Sequence, residues 1–410
     1  MKNNDYIDEI CSSLTKSGYS VIFRGFNALD RYIGLPALPF LWAETNADIT
    51  VLARLIENLR FPGVEIADGA ADTENGSCYF RCLEYENQKE NIASFNLLSF
   101  AYDWQRSLFQ DPRHVYPLIK TYRRKTTAKK PGDDNPPDFR STETGPDRIC
   151  GRYRIIMDAA LILSRYDFSV DAFRYILARI KAAQNSAAEN PPLPEIQRVF
   201  LCCLLVSPRP DRGLELLKQS LFLKELWPEL ACFDDVDHSK EYHPEGNVWN
   251  HTLQTFRHRK AGSGGVFDLR LSLGLLLHDA GKPVSPSFGS RRFDGHAELG
   301  AFAASRFLER LEFNPSMIQD IYYLVKNHML PASLKRLPLT KTSEIMASPL
   351  FPTLMELYRC DESSSFKGLD GYYENSAAYQ AYLKNAKNPY RSAAGKKMGK
   401  KDIAELIRRR

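Results

Sequence analysis

The sequence predicts an α+β N-terminal part followed by an all-α body, and three observations carry that reading. Residues 1–125 mix runs rich in β-branched and aromatic residues, YSVIFRGF and SCYFRCLEY, with one helical candidate, ITVLARLIENLR. The stretch Thr126–Arg148, TTAKKPGDDNPPDFRSTETGPDR, has almost no apolar residues and several Pro and Gly, so it reads as a flexible linker. Beyond it apolar residues recur at helical spacing, as in YRIIMDAALILSRY, EIQRVFLCCLLV and GLELLKQSLFLKELW. No internal repeat is present.

A chain of 410 residues has room for two or three domains, and an apolar share of 43% is enough for real cores. No stretch approaches the roughly 18 uncharged apolar residues of a membrane span. The opening MKNNDYIDEICSSLTKSGYS is acidic and polar, which is no secretory signal. The eight cysteines are scattered without a C-x-x-C pair and read as reduced thiols of a cytoplasmic protein. A net charge of +5 permits nucleic-acid binding without demanding it. The basic C-terminal tail, residues 371–410 with GKKMGKKDIAELIRRR at its end, reads first as a solvated end.

The helical body holds the chemistry. A helix from Val266 carries leucines at 269, 271, 273, 275, 276 and 277, apolar almost all round and therefore buried. It ends on LLLHDAGKP, with Gly281 and Pro283 as stop signals. Asp279 in such a place is costly unless paired or bound to a cation. Candidate partners follow in order. GNVWNHTLQTF places His251 in an amphipathic segment, and FDGHAELGA places His296 where a helix begins. In NPSMIQDIYYLVKNHML the inner stripe Ile321, Leu324, Val325 continues to His328. In FPTLMELYRCDE the stripe Leu354, Leu357, Tyr358 continues to Asp361. His328 and Asp361 thus occupy positions where spacing alone expects a leucine. Any one of these residues alone is most simply a satisfied core or surface group. Together, a shared divalent ion accounts for several inward polar groups at once.

The order H…HD…H…H…D resembles the HD metal-dependent phosphohydrolase superfamily. The resemblance implies that His251, His278, Asp279 and Asp361 ligate one ion. It implies that His296 and His328 complete a second site, with Asp279 bridging, and that Lys282 neutralises phosphate charge. Asp279 and Lys282 are then the catalytic candidates, and the cofactor is one or two divalent ions among Mn, Ni, Co, Fe and Mg. HPEGNVWNHTLQTF, LLLHDAGKP and FDGHAELGA together look like the HD region of bacterial tRNA nucleotidyltransferases and their poly(A) polymerase relatives. PRPDRGLELLKQSLFLKELWPEL resembles the helix pair before that region. The likeness is strong between about Glu195 and Asp361 and thin before. It implies a nucleotidyltransferase-like head (1–125), the linker (126–148), an all-α neck (149–235), an all-α HD domain (236–370) and the tail.

The head departs from that family. Its phosphate-binding turn, G-G-x-V-R-D-x-L-x-G, is matched by GFNALDRYIG, where Gly25, Asp30 and Gly34 fit but Phe26 and Leu29 replace a glycine and the arginine. The magnesium-binding D-x-D is matched by LPFLWAETNAD, with Phe40 and Trp42 at the carboxylate positions. Glu44 and Asp48, four residues apart on a strand, would stand roughly 13 Å apart, too far to share one ion. Farther on, Ile92, Ala93 and Ser94 replace two arginines and an aspartate, while Phe95, Ala101, Tyr102 and Asp103 remain. In the neck, Phe200 and Cys203 stand where polar, base-reading residues are usual.

The expected function is therefore metal-dependent hydrolysis of a phosphate ester: a nucleotide, a cyclic phosphate or an RNA end. The head is expected to have lost nucleotide transfer. One rival is a divergent tRNA nucleotidyltransferase (CCA-adding) or poly(A) polymerase. The other is a non-catalytic RNA-binding scaffold in which the ion only pins helices together. All three leave room for an RNA partner such as tRNA, and none needs a membrane.

Overall fold

The computed structural model describes residues 2–62, 67–73, 76–83, 100–110, 152–166, 190–237, 246–262, 265–285, 287–288, 291–365, 368–386 and 399. The expected linker, the tail from 387 on apart from residue 399, and residues 92–95 lie outside this set. The chain divides into two compact units, Met1–Leu226 with Ala261–Phe267, and Trp227–Lys260 with Asp268–Arg410.

The first unit opens with α1 (Lys2–Lys16), β1 (Val21–Arg24), α2 (Phe26–Ile33), β2 (Phe40–Thr45) and α3 (Ile49–Leu55). Strands β3 (Gly69–Thr73), β4 (Gly76–Cys82), β5 (Ala101–Asp103) and β6 (Leu108–Gln110) follow. They form one sheet in the order β3-β4-β2-β1-β5-β6, in which β2 and β4 run parallel and the other neighbours antiparallel. Period-two patterning sets the faces of β1, where Val21 and Phe23 are buried while Arg24 is exposed. Helix α2 is held between Gly25 (φ 61°) and Gly34 (φ 72°), left-handed positions that favour glycine. Asp48 is no strand residue: its side chain caps α3 by accepting from Val51 N at 2.9 Å. That helix is shorter than the pattern ITVLARLIENLR predicts, because Ile56 is already extended and Asn58 turns left-handed.

The same unit continues in α4 (Arg152–Arg165), α5 (Pro194–Leu205), α6 (Pro210–Gln219) and α7 (Phe222–Leu226). The run GLELLKQSLFLKELW is broken between the last two by Leu221 at φ 64°. Helix α6 lies so close to α4 that a Cβ on Gly213 would sit 2.2 Å from Ser164 Oγ and 2.7 Å from Ala160 O.

The second unit is helical, with α8 (Pro228–Ala231), α9 (Val248–Thr255), α10 (Leu269–Leu277), α11 (His296–Arg310) and α12 (Pro315–Asn327). The antiparallel pair β7 (Ser287–Phe288) and β8 (Arg291–Arg292) precedes α11, and α13 (Leu339–Met346), α14 (Phe351–Ser363) and α15 (Asp370–Ala386) complete the unit. Helix α10 is the hub, and every residue from Leu271 to Leu277 is buried. Each of its buried leucines contributes roughly 1.5–3 kcal/mol. It starts at Leu269 rather than Val266, because the Asp268 side chain accepts from Leu271 N and caps it there. Gly274 brings it against α14 and α12, since a Cβ there would meet Leu357 Cδ1 at 2.9 Å and Leu324 Cδ1 at 3.3 Å. Among the described residues no helix is long and apolar enough to cross a membrane. The fold class is thus an α+β head followed by a helical body.

Candidate metal centre

The hub helix ends where its hydrophobic burial ends, and the next two residues, His278 and Asp279, are each 1% exposed. His251 projects from α9, His296 is the first residue of α11, His328 is the C-cap of α12, and Asp361 lies in the last turn of α14. Close backbone approach aligns two of these elements. A Cβ on Gly281 would lie 2.0 Å from His296 O and 2.5 Å from Gly300 N. Two bare glycines therefore let the HDAGK turn lie against the start of α11.

Ligand atoms of His251, His278 and Asp279 fall within 4.8 Å of one another, and so do those of Asp279, His296 and His328. Asp279 belongs to both groups. Asp361 joins through His251, whose Nε2 lies 2.9 Å from Asp361 Oδ1. Lys282 Nζ is 2.6 Å from Asp279 Oδ2 and 5.6 Å from the centre of the Phe293 ring. The structure thus brings together all seven sequence-predicted residues. His238 and His243 lie outside the described residues.

Proton positions show what the centre lacks. His278, His296 and His328 each place Nδ1 on a main-chain carbonyl three residues earlier, at Leu275 (2.9 Å), Phe293 (2.9 Å) and Val325 (2.7 Å). A carbonyl only accepts, so each Nδ1 carries a proton, and a ring that is neutral turns a bare Nε2 lone pair inward. His296 Nε2 and His328 Nε2 then face each other at 3.1 Å with no proton between them. His278 Nε2 is buried with no hydrogen-bond partner. Burial, and the nearby His278, push the His328 pKa down to about 4, and burial likewise lowers that of His296. Both rings are neutral at pH 7. Burial opposes ionisation of Asp279, yet Lys282 and His278 hold its carboxyl well below the usual carboxylate range. Asp361 also stays below that range against its burial, through the hydrogen bond and charge of His251. Converging lone pairs and ionised carboxylates without enough protons are the donor set of a divalent cation, so the residues fit a metal.

A family model describing the HD domain matches residues 248–350. This region is an HD domain. The match takes in five of the six ligand candidates and stops short of Asp361. A multifunctional CCA protein of Halorhodospira halophila is 36% identical over 30% of this chain and 28% of its own length. A CC-adding tRNA nucleotidyltransferase of Thermus thermophilus is 32% identical over 47% of this chain and 45% of its own. An A-adding tRNA nucleotidyltransferase of Deinococcus radiodurans is 32% identical over 39% and 37%. The chain is similar to these proteins over part of its length only, and it spans less than half the length of each of them. Among solved structures, a tRNA nucleotidyltransferase with a primer tRNA and an ATP analogue is 12% identical over 92% of this chain and 99% of that one, at a TM-score of 0.44.

Outside the HD domain, the structure also places the head residues that the sequence singled out. Phe40, Trp42 and Glu44 alternate along β2 and share one face. Trp42 stacks on Tyr79 with ring centres 5.1 Å apart, and it lines a small apolar pocket with Phe26, Leu38, Leu161, Phe200 and Cys203. Glu44 is ion-paired with Arg24 at 2.5 Å. Asp30 gives one oxygen to Arg165 Nε (2.6 Å) and the other to Tyr166 OH (2.9 Å). Among the described residues, every group of three or more His, Cys, Asp or Glu at ligand distance lies in the HD domain.

Two contributors escape the pattern of histidines and aspartates. Phe293 holds φ 64°, a strained value for a non-glycine, and it turns its carbonyl to His296 Nδ1. Ser364 stands 3.2 Å from His251 Nδ1. The spacing of Gly281 and Gly300 within HDAG and HAELG was a readable signal; the φ of Phe293 was not.

Proposed function

We propose that the HD domain is a metal-dependent phosphohydrolase acting on a nucleotide, a cyclic phosphate or an RNA end. The observation that carries this reading is the inward set of unprotonated Nε2 atoms around Asp279. His251, His278, Asp279 and Asp361 would hold one divalent ion, and Asp279, His296 and His328 a second. Such an ion activates water near neutral pH and offsets charge on phosphate oxygens. The chain's own groups do the rest. The fixed Nδ1–H bonds orient the imidazoles, so little reorganisation accompanies reaction. Asp279, kept ionised by Lys282 and His278, anchors both halves of the site. The Lys282 ammonium, already at the rim of the centre, can turn from Asp279 to a phosphate oxygen as negative charge builds there.

The names of the relatives favour a second reading, transfer of nucleotides to tRNA by the head. Against it stand the aromatic residues of β2 and the ion pairs that occupy Glu44 and Asp30. An RNA substrate and a cytoplasmic setting are compatible with either reading.

Hydrolysis of 2′,3′-cyclic AMP, nucleoside monophosphates and p-nitrophenyl phosphate would be measured after reconstitution with Mn²⁺, Ni²⁺, Co²⁺ or Mg²⁺, with Asp279→Ala in parallel. Turnover by the wild type that vanishes in the variant is expected. Incorporation of CTP or ATP into a tRNA lacking its 3′ end, by a protein inert in every hydrolysis assay, would reverse the assignment.

A further inference from the structure

Helices α11 and α12 meet at the metal centre and run away from it side by side. His296, at the start of α11, and His328, at the end of α12, put their Nε2 atoms 3.1 Å apart. Six residues later in α11 and six earlier in α12, Phe302 and Tyr322 make a T-shaped contact with ring centres 5.7 Å apart. The two helices are therefore antiparallel, and they share an outer face that begins at the centre. On that face Leu299 is 38% exposed, Phe302 60% and Met329, next to His328, 52%. Single exposed apolar residues need no explanation, but three on one face beside a polar centre do.

The same face carries two cations. Spacing of three and four residues puts Arg306 in the row of Leu299 and Phe302, and Lys326 in the row of Tyr322 and Met329. Both are exposed, and Lys326 Nζ lies 5.6 Å from the centre of the Tyr322 ring. Among the described residues neither cation is held in an ion pair. The exposed carboxylates of Glu298 and Glu309 lie one row farther from α12. Faces that bind other proteins are depleted in lysine. Rings interleaved with cations suit instead the bases and phosphates of a single strand.

We propose that the outer face of α11 and α12 is a stacking platform for single-stranded nucleic acid whose terminal phosphate enters the metal centre. Phe302 lies about 9 Å along the helix axis from His296, at about 1.5 Å per residue. A stacked strand advances about 3.4 Å per nucleotide, so the second or third base from that phosphate reaches the Phe302 ring. Lys326 and Arg306 offset the charge of the phosphates between. A mononucleotide is too short to use the platform, which therefore favours the end of a strand. The proposal rests on the phosphohydrolase reading of the centre and narrows its substrate to a nucleic-acid end.

The test uses the full chain and a 5′-labelled pentaadenylate ending in a 2′,3′-cyclic phosphate. Fluorescence anisotropy with the metal-free protein reads the grip on the strand. Kinetics of the Mn²⁺-loaded protein read turnover of this strand against that of 2′,3′-cyclic AMP. Phe302→Ala should weaken strand binding roughly 5–100-fold, the loss of one stacked base, and lower the ratio of kcat/KM for strand over cyclic AMP alike. Phe302→Tyr should restore both. Lys326→Gln should weaken binding and flatten its dependence on log salt by about 0.7, one phosphate contact on a single strand. Equal strand binding by wild type and Phe302→Ala overturns the platform, whether or not turnover is seen. If Phe302→Ala instead abolishes self-association and leaves strand binding unchanged, the face belongs to a second copy of the chain and the platform is overturned. Binding that responds to Phe302 in a protein that turns over no ester counts against hydrolysis and upholds the platform.

Discussion

Asp30 in the head and Asp279 in the HD domain are both 1% exposed, and their surroundings treat them in opposite ways. Burial pushes the Asp30 pKa up to about 6, although Arg165 and Tyr166 occupy its two oxygens. Asp279 meets the same penalty but is held well below the usual range by Lys282 and His278. Around Asp30, donors and acceptors match and nothing further is required. Around Asp279, acceptors outnumber protons. A buried carboxylate points to a ligand when its hydrogen-bond accounting stays open, and burial alone does not distinguish the two cases.

The largest expected effect breaks the pair apart. Asp279→Asn should weaken divalent-metal binding by roughly 100-fold or more, beyond the range seen when only an outer partner is lost. Asp30→Asn should leave it within about twofold. Calorimetric titration of both variants with Mn²⁺ checks this. Equal losses would mean that the head supports the centre and that the two carboxylates are not independent.

The second effect sharpens the head's side of the comparison. Between its unfolded pKa of 3.8 and its folded value of about 6, Asp30 keeps a proton in the folded chain that the unfolded chain has released. Stability from this group is therefore fully present below about pH 4 and is lost as pH rises to about 6. The total is about 3 kcal/mol from a shift of about two units. Urea unfolding of the wild type and Asp30→Asn at pH 4, 5, 6 and 7 isolates the term as the difference between them. A wild type that gains stability relative to the variant across this window would show that Arg165 outweighs burial.

Much of the centre was legible because its residues interrupt strong apolar periodicity. His278 and Asp279 end a run of leucines, and His328 and Asp361 stand where Leu324 and Leu357 set the stripe. The sheet was legible in part. β1 and β4 follow their β-branched and aromatic runs, whereas α3 ends early at a left-handed turn that no periodicity encodes. Ser364 was not legible, since one of three consecutive serines reaches His251 only through the packing of α14 on α9. The φ of Phe293 was hidden for a similar reason. Tertiary contacts impose it, and a phenylalanine gives no local signal for a left-handed backbone.

Gly281 yields the smallest and most local effect. In sequence it reads as a stop signal for the hub helix, yet its φ is −86°, a value any residue adopts. Its role is the space around it, where a Cβ would stand 2.0 Å from His296 O. Gly281→Ala must push the turn away from the start of α11, at a cost of roughly 1–3 kcal/mol typical of overpacking. His296 belongs to α11, whereas His251 belongs to α9, so the shift should fall on the half of the centre shared by Asp279, His296 and His328. About a tenfold loss of affinity for a second equivalent of metal, with the first little changed, is the expected titration. A head counterpart provides the contrast: a Cβ on Gly76 would stand 1.6 Å from Pro39 O at the start of the β2–β4 pairing. Gly76→Ala should therefore destabilise the sheet and leave both equivalents of metal bound as in the wild type. If Gly281→Ala instead weakens both equivalents alike, the two halves of the centre act as one through Asp279.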